Sequence, residues 1–147
     1  MIQTICLHRV LRESVTTPYR NLVTRATGAA VRGRIEAALA LSACEVAVLD
    51  FSEVELLDFS CADEIVAKLV LSAARPGRAL VLLGVRDEQR EALDHVLAHH
   101  RVAVTARLHG SGEPVLLGSV TPDLHAAFAA LRARGAGLDD FARLPLS

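Results

Sequence analysis

The sequence predicts an α/β fold built on a mixed sheet of four or five strands. Short, fully apolar runs, typical of strands buried on both faces, alternate with helix-length segments in which apolar residues recur every three or four positions. This alternation is typical of strands joined by helices in a layered sheet. The chain has 147 residues, enough to bury a core, and we expect residues 1–147 to form one domain.

The amino-terminal part predicts one strand and one helix. Residues 2–11 alternate loosely, which favours a strand at a sheet edge, and a polar loop follows. The first helix has an apolar stripe formed by Val31, Ile35, Ala38 and Leu39. Gly28 and Gly33 each weaken this helix by about 1 kcal/mol relative to Ala, which predicts either close packing or a late helix start.

The chain is organised around residues 46–71. Residues 46–49 are an apolar run with β-branched members, bounded by Asp50, and predict a buried strand. After a linker, a helical stripe follows at Ala62, Ile65, Val66, Leu69, Val70 and Ala73. A second buried strand is predicted at 79–83, parallel to the first through a right-handed crossover.

The carboxyl-terminal part predicts two helices and a hairpin, followed by a last short helix. Asp87 is expected to cap one helix, and Thr121 followed by Pro122 is expected to begin another. Between these helices, two alternating segments flank the loop 109–113, which predicts a β-hairpin. Residues 100–147 could instead form an appended hairpin–helix extension.

Composition narrows the classes of function. The formal net charge is −1 and aromatic residues make up 3%, so we expect neither nucleic-acid binding nor attraction to an anionic membrane. No apolar run reaches the length of a membrane span, and the amino-terminal segment lacks a signal-peptide pattern. The three cysteines lack metal-site spacing and predict reduced thiols in a cytoplasmic protein.

The predicted start of the central helix gathers a hydroxyl, a thiol and carboxylates over residues 58–64. Ser60 with Asp63 three positions later resembles a capping box, which favours a plain cap. A phosphorylation site is the alternative, because a helix amino terminus favours phosphate, although Asp63 and Glu64 would repel it. Cys61 has either a lowered pKa at this terminus or a small apolar role.

Other candidate residues have weaker signals. Glu64 and Lys68 are expected to pair on the solvated helix face. His95 and His99 lie four apart, but no third ligand or HExxH pattern accompanies them, so no metal site is predicted, and no cofactor is expected either. A triad that includes Ser60 is left open, although no GxSxG turn is present.

Two stretches of the central unit resemble the STAS domain of anti-sigma factor antagonists: Val48-Leu49-Asp50-Phe51-Ser52 and Leu57-Asp58-Phe59-Ser60. In that family, a buried strand ending in Asp leads through a short linker to an Asp-Ser-Ser-Gly turn that opens a helix. Asp58 matches the Asp of this turn, and Ser60 matches its phosphorylated second Ser. Phe59 replaces the first Ser, and Cys61 replaces the Gly.

The divergent STAS-like family is more similar still. Its pattern is an Asp-Phe strand end followed by a Phe-Ala-Asp-Glu-like helix start, which is similar to Asp50-Phe51 and Cys61-Ala62-Asp63-Glu64. The resemblance covers residues 19–85. It implies helices packed mainly on one face of the sheet and a cytoplasmic bacterial module that binds a histidine-kinase-like ATPase or an anti-sigma factor, with Ser60 as the phosphorylation switch.

The leading hypothesis is therefore a non-enzymatic regulatory module that binds another protein; a homodimer is also left open. Its predicted contact surface consists of Asp50, Ser52, Asp58, Asp63, Glu64 and Lys68. One alternative is a small hydrolase or transferase that uses Ser60 or Cys61 with a histidine brought near by folding. Another is a DNA-linked regulator with a wing-like appendage bearing Arg107, Arg132, Arg134 and Arg143, which the near-neutral net charge disfavours.

Overall fold

The apolar runs form a mixed sheet of five strands, so the predicted α/β class is confirmed. A computed structural model describes residues 2–6, 9–10, 21–71 and 78–144. The main sheet has the order β1 (Ile2–Cys6), β3 (Val46–Asp50), β5 (Ala79–Val85), β6 (Ala103–Leu108) and β7 (Pro114–Gly118). The first four are parallel and β7 is antiparallel to β6, so the predicted hairpin is present, with β6 also paired to β5.

A second, two-stranded sheet lies in segments for which no strand was predicted. It pairs β2 (Asn21–Leu22) with β4 (Leu56–Leu57) in parallel. Both strands are short and lie directly before helices, and the backbone N–H of Asp58 donates to the Leu22 carbonyl at 3.0 Å. The pairing therefore brings the starts of the two following helices together.

Five helices lie in residues 21–71 and 78–144, and none of the described helices is long and apolar enough to cross a membrane. They are α1 (Arg25–Ala40), α2 (residues 59–71), α3 (Asp87–His99), α4 (Pro122–Ala133) and α5 (Leu138–Ala142). Helix α2 is not a regular α-helix, because Ala62–Ala67 is a π-helix and the Lys68 N–H donates to the carbonyl of Asp63, five residues back. Period-3.6 reasoning did not predict this widened segment.

The two faces of the sheet carry different helices. Because the four parallel strands follow one another in chain order, right-handed crossovers place α1, α2 and α3 on the same face. Ala47 and Leu49 of β3 belong to the main core cluster with buried residues of these helices. Val46 and Val48 point to the opposite face, where Ala142 of α5 is packed. Helix α4 joins α5 through the ring pair Phe128–Phe141, with centroids 5.2 Å apart.

The predicted helix caps and the predicted apolar face of α1 agree with the structure only in part. Thr121 caps α4 by accepting from the Leu124 N–H at 3.1 Å, as predicted. The expectation that Asp87 caps α3 is wrong, because Asp87 is already helical and the preceding Arg86 N–H is satisfied by the Gln89 side chain at 3.0 Å. In α1 the predicted stripe is buried except for Ala38, which is exposed.

Candidate functional site

The start of α2 is held by Asp58, and the prediction that Ser60 caps the helix is wrong. Asp58 Oδ1 accepts from the Cys61 N–H at 2.7 Å, and Oδ2 accepts from the Thr24 N–H at 2.9 Å. One carboxylate thus satisfies a donor at the start of α2 and another at the cap of α1, which a single hydroxyl does less well. Ser60 lies in the first turn of α2 and is partly exposed.

Thr24 faces this turn in a conformation that is unusual for a β-branched residue. Its φ is 71°, a region that costs roughly 1–3 kcal/mol for a residue other than glycine. Three contacts fix it: its N–H donates to Asp58, its hydroxyl accepts from the Thr27 N–H at 3.3 Å, and its carbonyl accepts from Cys61 Sγ at 3.0 Å. The two helix starts therefore form one interlocked unit.

Cys61 is fully buried in this unit. Burial, reinforced by the neighbouring Asp58 carboxylate, raises the pKa of the Cys61 thiol to about 12. Of the two alternatives for Cys61, the lowered pKa is therefore wrong and the small, buried apolar role agrees with the structure. The thiol is protonated at neutral pH. Within the described residues, no hydrogen bond joins a histidine to Cys61 or Ser60. The enzymatic alternative stays a hypothesis.

Glu64 is not on a solvated face, contrary to expectation. It is 4% exposed and accepts from Lys68 Nζ at 2.6 Å, from Arg25 Nη1 at 2.9 Å and from Arg32 Nη2 at 3.3 Å. The Lys68 hydrogen bond lowers the pKa of Glu64 most; burial opposes this effect, and the two arginines add to it. Helix α1 covers Glu64 because Gly28 lets α1 approach α2 closely: a Cβ at Gly28 would lie 2.9 Å from the Glu64 Cβ.

Asp63 is also engaged by cationic groups of the same chain. Its side chain is 20% exposed, and it accepts from Arg25 at 2.9 Å and lies 2.7 Å from His100 Nε2. Burial raises the pKa of Asp63, but the hydrogen bonds from Arg25 and His100 outweigh burial and lower it. His100 lies just after the last turn of α3, so this contact ties α2 to α3.

Asp50 and Ser52 form a turn of their own at the carboxyl end of β3. Asp50 Oδ1 accepts from both the N–H of Ser52, at 2.8 Å, and its hydroxyl. Gly84 in β5 passes close to this turn with φ at 70°, and a Cβ there would clash with the Ser52 hydroxyl. Both side chains remain partly exposed.

Large apolar side chains at the α2 start are exposed, which the sequence reasoning missed. Leu56 is 57% exposed and Phe59 is 49% exposed. The ring of Phe59 meets His95 of α3 edge-on, with ring centroids 5.1 Å apart. We call Leu56, Phe59 and His95 the Leu56–Phe59 patch. The available signal was Phe59 itself, an aromatic residue at a turn position where the resembled family has Ser.

Two other features lie away from these residues. A cavity of about 680 Å³ opens at the amino-terminal edge of the sheet, lined by the beginnings of three strands at Val46, Ala79 and Ala103. It contains no residue of the predicted contact surface, and Arg143 is the one arginine of the DNA-linked alternative that lines it. Among the described residues, no group of His, Cys, Asp or Glu is arranged to hold a metal ion. Of the two histidines considered as a metal pair, His95 contacts Phe59 and His99 contacts His100.

Comparison of the chain with family models, with curated proteins and with solved structures finds no match. The STAS-like resemblance therefore rests on the sequence motifs around Asp50 and Asp58.

Proposed function

We propose that the protein is a non-enzymatic regulatory module that binds another protein through the start of α2. In keeping with its resemblance to anti-sigma factor antagonists, the proposed partner is a histidine-kinase-like ATPase or an anti-sigma factor. The observation that carries this proposal is the pair of half-exposed apolar side chains, Leu56 and Phe59, beside the turn that matches the STAS motif.

The geometry of the turn supports a binding role. Asp58 fixes both helix starts, so Leu56 and Phe59 project from a backbone that does not need to be ordered on binding. Presenting large apolar groups on a preorganised backbone reduces the entropic cost of association. Aromatic side chains are also enriched among the residues that dominate binding energy. Asp63 and Glu64, by contrast, are neutralised within the chain and contribute to the integrity of the surface.

Ser60 is the proposed regulatory position. It is partly exposed and follows Phe59 directly, so a phosphate there would add charge beside the apolar contact. The repulsion expected from Asp63 and Glu64 is reduced, because Arg25 contacts both carboxylates. Phosphorylation of Ser60 would therefore change the charge of the docking surface, and with it the affinity for the partner, without opposing a free acidic cluster.

The proposal is tested by partner capture with matched variants. Leu56→Asp combined with Phe59→Asp is expected to abolish capture of the kinase-like ATPase or anti-sigma partner from a lysate of the source cell. Leu41→Asp is the control, because Leu41 is 93% exposed at the other end of α1. Circular dichroism should show equal folding for all variants. Capture that survives the double substitution would contradict the docking surface.

A further inference from the structure

The electrostatic surroundings of the Leu56–Phe59 patch define the chemistry of what docks there. We propose that the partner presents a positively charged segment with apolar side chains to this patch. The inference rests on the proposed function and adds the charge of the contacting surface. It follows from the acids of α3 that border the patch.

Helix α3 carries acids on the same face as His95, the residue that contacts Phe59. Glu88, Glu91 and His95 are spaced three and four apart, so they share one face of α3, and His95 is the member that contacts Phe59. Glu88 and Glu91 are exposed, and neither forms an ion pair with another residue in the described part of the chain. The segment 54–59 lies along this helix, with Gln89 donating to the Val54 carbonyl at 2.9 Å at one end and Phe59 contacting His95 at the other.

The nearby cations among the described residues are engaged by other groups and form no ion pair with Glu88 or Glu91. Arg90 of the same helix pairs with Asp87 at 3.4 Å. Arg25 contacts Asp63 and Glu64, and Lys68 contacts Glu64. Arg86 donates to the Ser52 carbonyl at 2.8 Å and so lies at the other end of the segment. The patch is therefore an apolar centre with an acidic border, and complementary charge both steers association and selects among partners.

A second copy of the chain is a poorer occupant for the same reason. A symmetric dimer through this patch would be isologous, so each copy would contribute the same acids to one interface. Glu88 and Glu91 of one copy would face a border of identical sign, and like charges across an interface are unfavourable. A basic partner segment lacks this repulsion.

Selection from a display library of random peptides tests the inference directly. The wild-type chain is the target, and enriched peptides are resynthesised and their Kd values measured. We expect enriched peptides to be net positive with apolar residues, and to lose binding to the Leu56→Asp, Phe59→Asp variant. Their affinity should fall about tenfold for Glu88→Lys combined with Glu91→Lys. The control, Asp123→Lys combined with Asp139→Lys, changes the net charge equally at exposed acids of α4 and α5 and should bind as wild type.

The outcomes separate the two proposals. Enriched peptides that need Leu56 and Phe59 but are neutral or acidic would overturn the charge inference and leave the docking surface intact. Equal affinity for the two lysine variants would do the same. Peptides that bind the Leu56→Asp, Phe59→Asp variant as tightly as the wild type would contradict the docking surface itself. Failure to enrich any peptide would count against both the docking surface and the charge inference. If sedimentation showed that the wild type is a dimer and that the Leu56→Asp, Phe59→Asp variant is a monomer, a second copy of the chain would be the occupant. The proposal of a basic partner would then be overturned.

Discussion

Two glycines of α1 are expected to respond in opposite directions to the same substitution. Gly28 is buried where α1 meets α2, and a Cβ there would lie 2.9 Å from the Glu64 Cβ and 3.2 Å from the Cys61 Cα. Gly33 lies in the same helix, and a Cβ there would meet nothing within 4 Å. Gly28→Ala and Gly33→Ala are therefore a matched pair that differs only in packing.

The change in the free energy of unfolding for each substitution follows from two opposing effects. Replacing glycine by alanine inside a helix stabilises it by about 0.5–1 kcal/mol, which is the whole expected effect at Gly33. At Gly28 the added methyl meets the backbone of Cys61, which cannot rotate away, so α1 must shift. Overpacking of this kind costs about 1–3 kcal/mol, so we expect Gly28→Ala to lower the free energy of unfolding by about 1–2 kcal/mol after the helix gain.

Urea unfolding and thermal melting of the two variants and the wild type, both followed by far-UV circular dichroism, measure the difference in stability. For a chain of this size, each 1 kcal/mol corresponds to a change in Tm of roughly 2–4 °C. Gly28→Ala should melt below the wild type and Gly33→Ala above it. If both variants were stabilised, α1 and α2 would not approach as closely as described, and the burial of Glu64 would lose its explanation.

Two further predictions concern Asp58, Ser60 and Glu64, at the start of α2. Asp58→Ala should lower the free energy of unfolding by about 1–2 kcal/mol because it removes the cap of α2. Ser60→Ala should lower it by less than about 0.5 kcal/mol, because Ser60 does not cap the helix. If urea unfolding showed equal losses for the two variants, Ser60 would be the cap after all. Glu64→Gln should cost about 1–2 kcal/mol at pH 7, a value reduced from that of a fully buried pair because Lys68 and Arg25 are about half exposed. The folded pKa of Glu64 is lowered below its ordinary 4.5, so this contribution is present above pH 4.5 and is lost as pH falls through the folded pKa. A stability gap between Glu64→Gln and wild type that is as large well below pH 4.5 as at pH 7 would refute the ion-pair account.

Local patterns were sufficient to predict the strands of the main sheet. The apolar runs at 46–49 and 79–83 correspond to β3 and β5, since a strand buried on both faces has few polar residues. Thr121 followed by Pro122 identified the start of α4, because cap chemistry depends on neighbours in sequence. The short pair of β2 and β4 was missed, since two residues per strand leave no periodicity to detect.

Tertiary structure decided what each side chain at the α2 start does. From sequence, Ser60 was the expected cap. Asp58 caps α2 instead, and β2–β4 pairing also brings the Thr24 N–H to its second oxygen. Glu64 looked solvated beside Lys68, but the close approach of α1 at Gly28 buries it, and the arginines that neutralise it come from α1.

The residues 46–71 were thus identifiable in advance as the centre of the chain, because their apolar spacing and their cluster of polar groups are local properties. The surface that these residues present could not be predicted from the sequence. Which acids are neutralised and which apolar side chains stay exposed depends on contacts between residues more than thirty positions apart, such as Arg25 with Asp63 and Phe59 with His95. Such contacts exist only once α1 and α3 have packed on either side of α2.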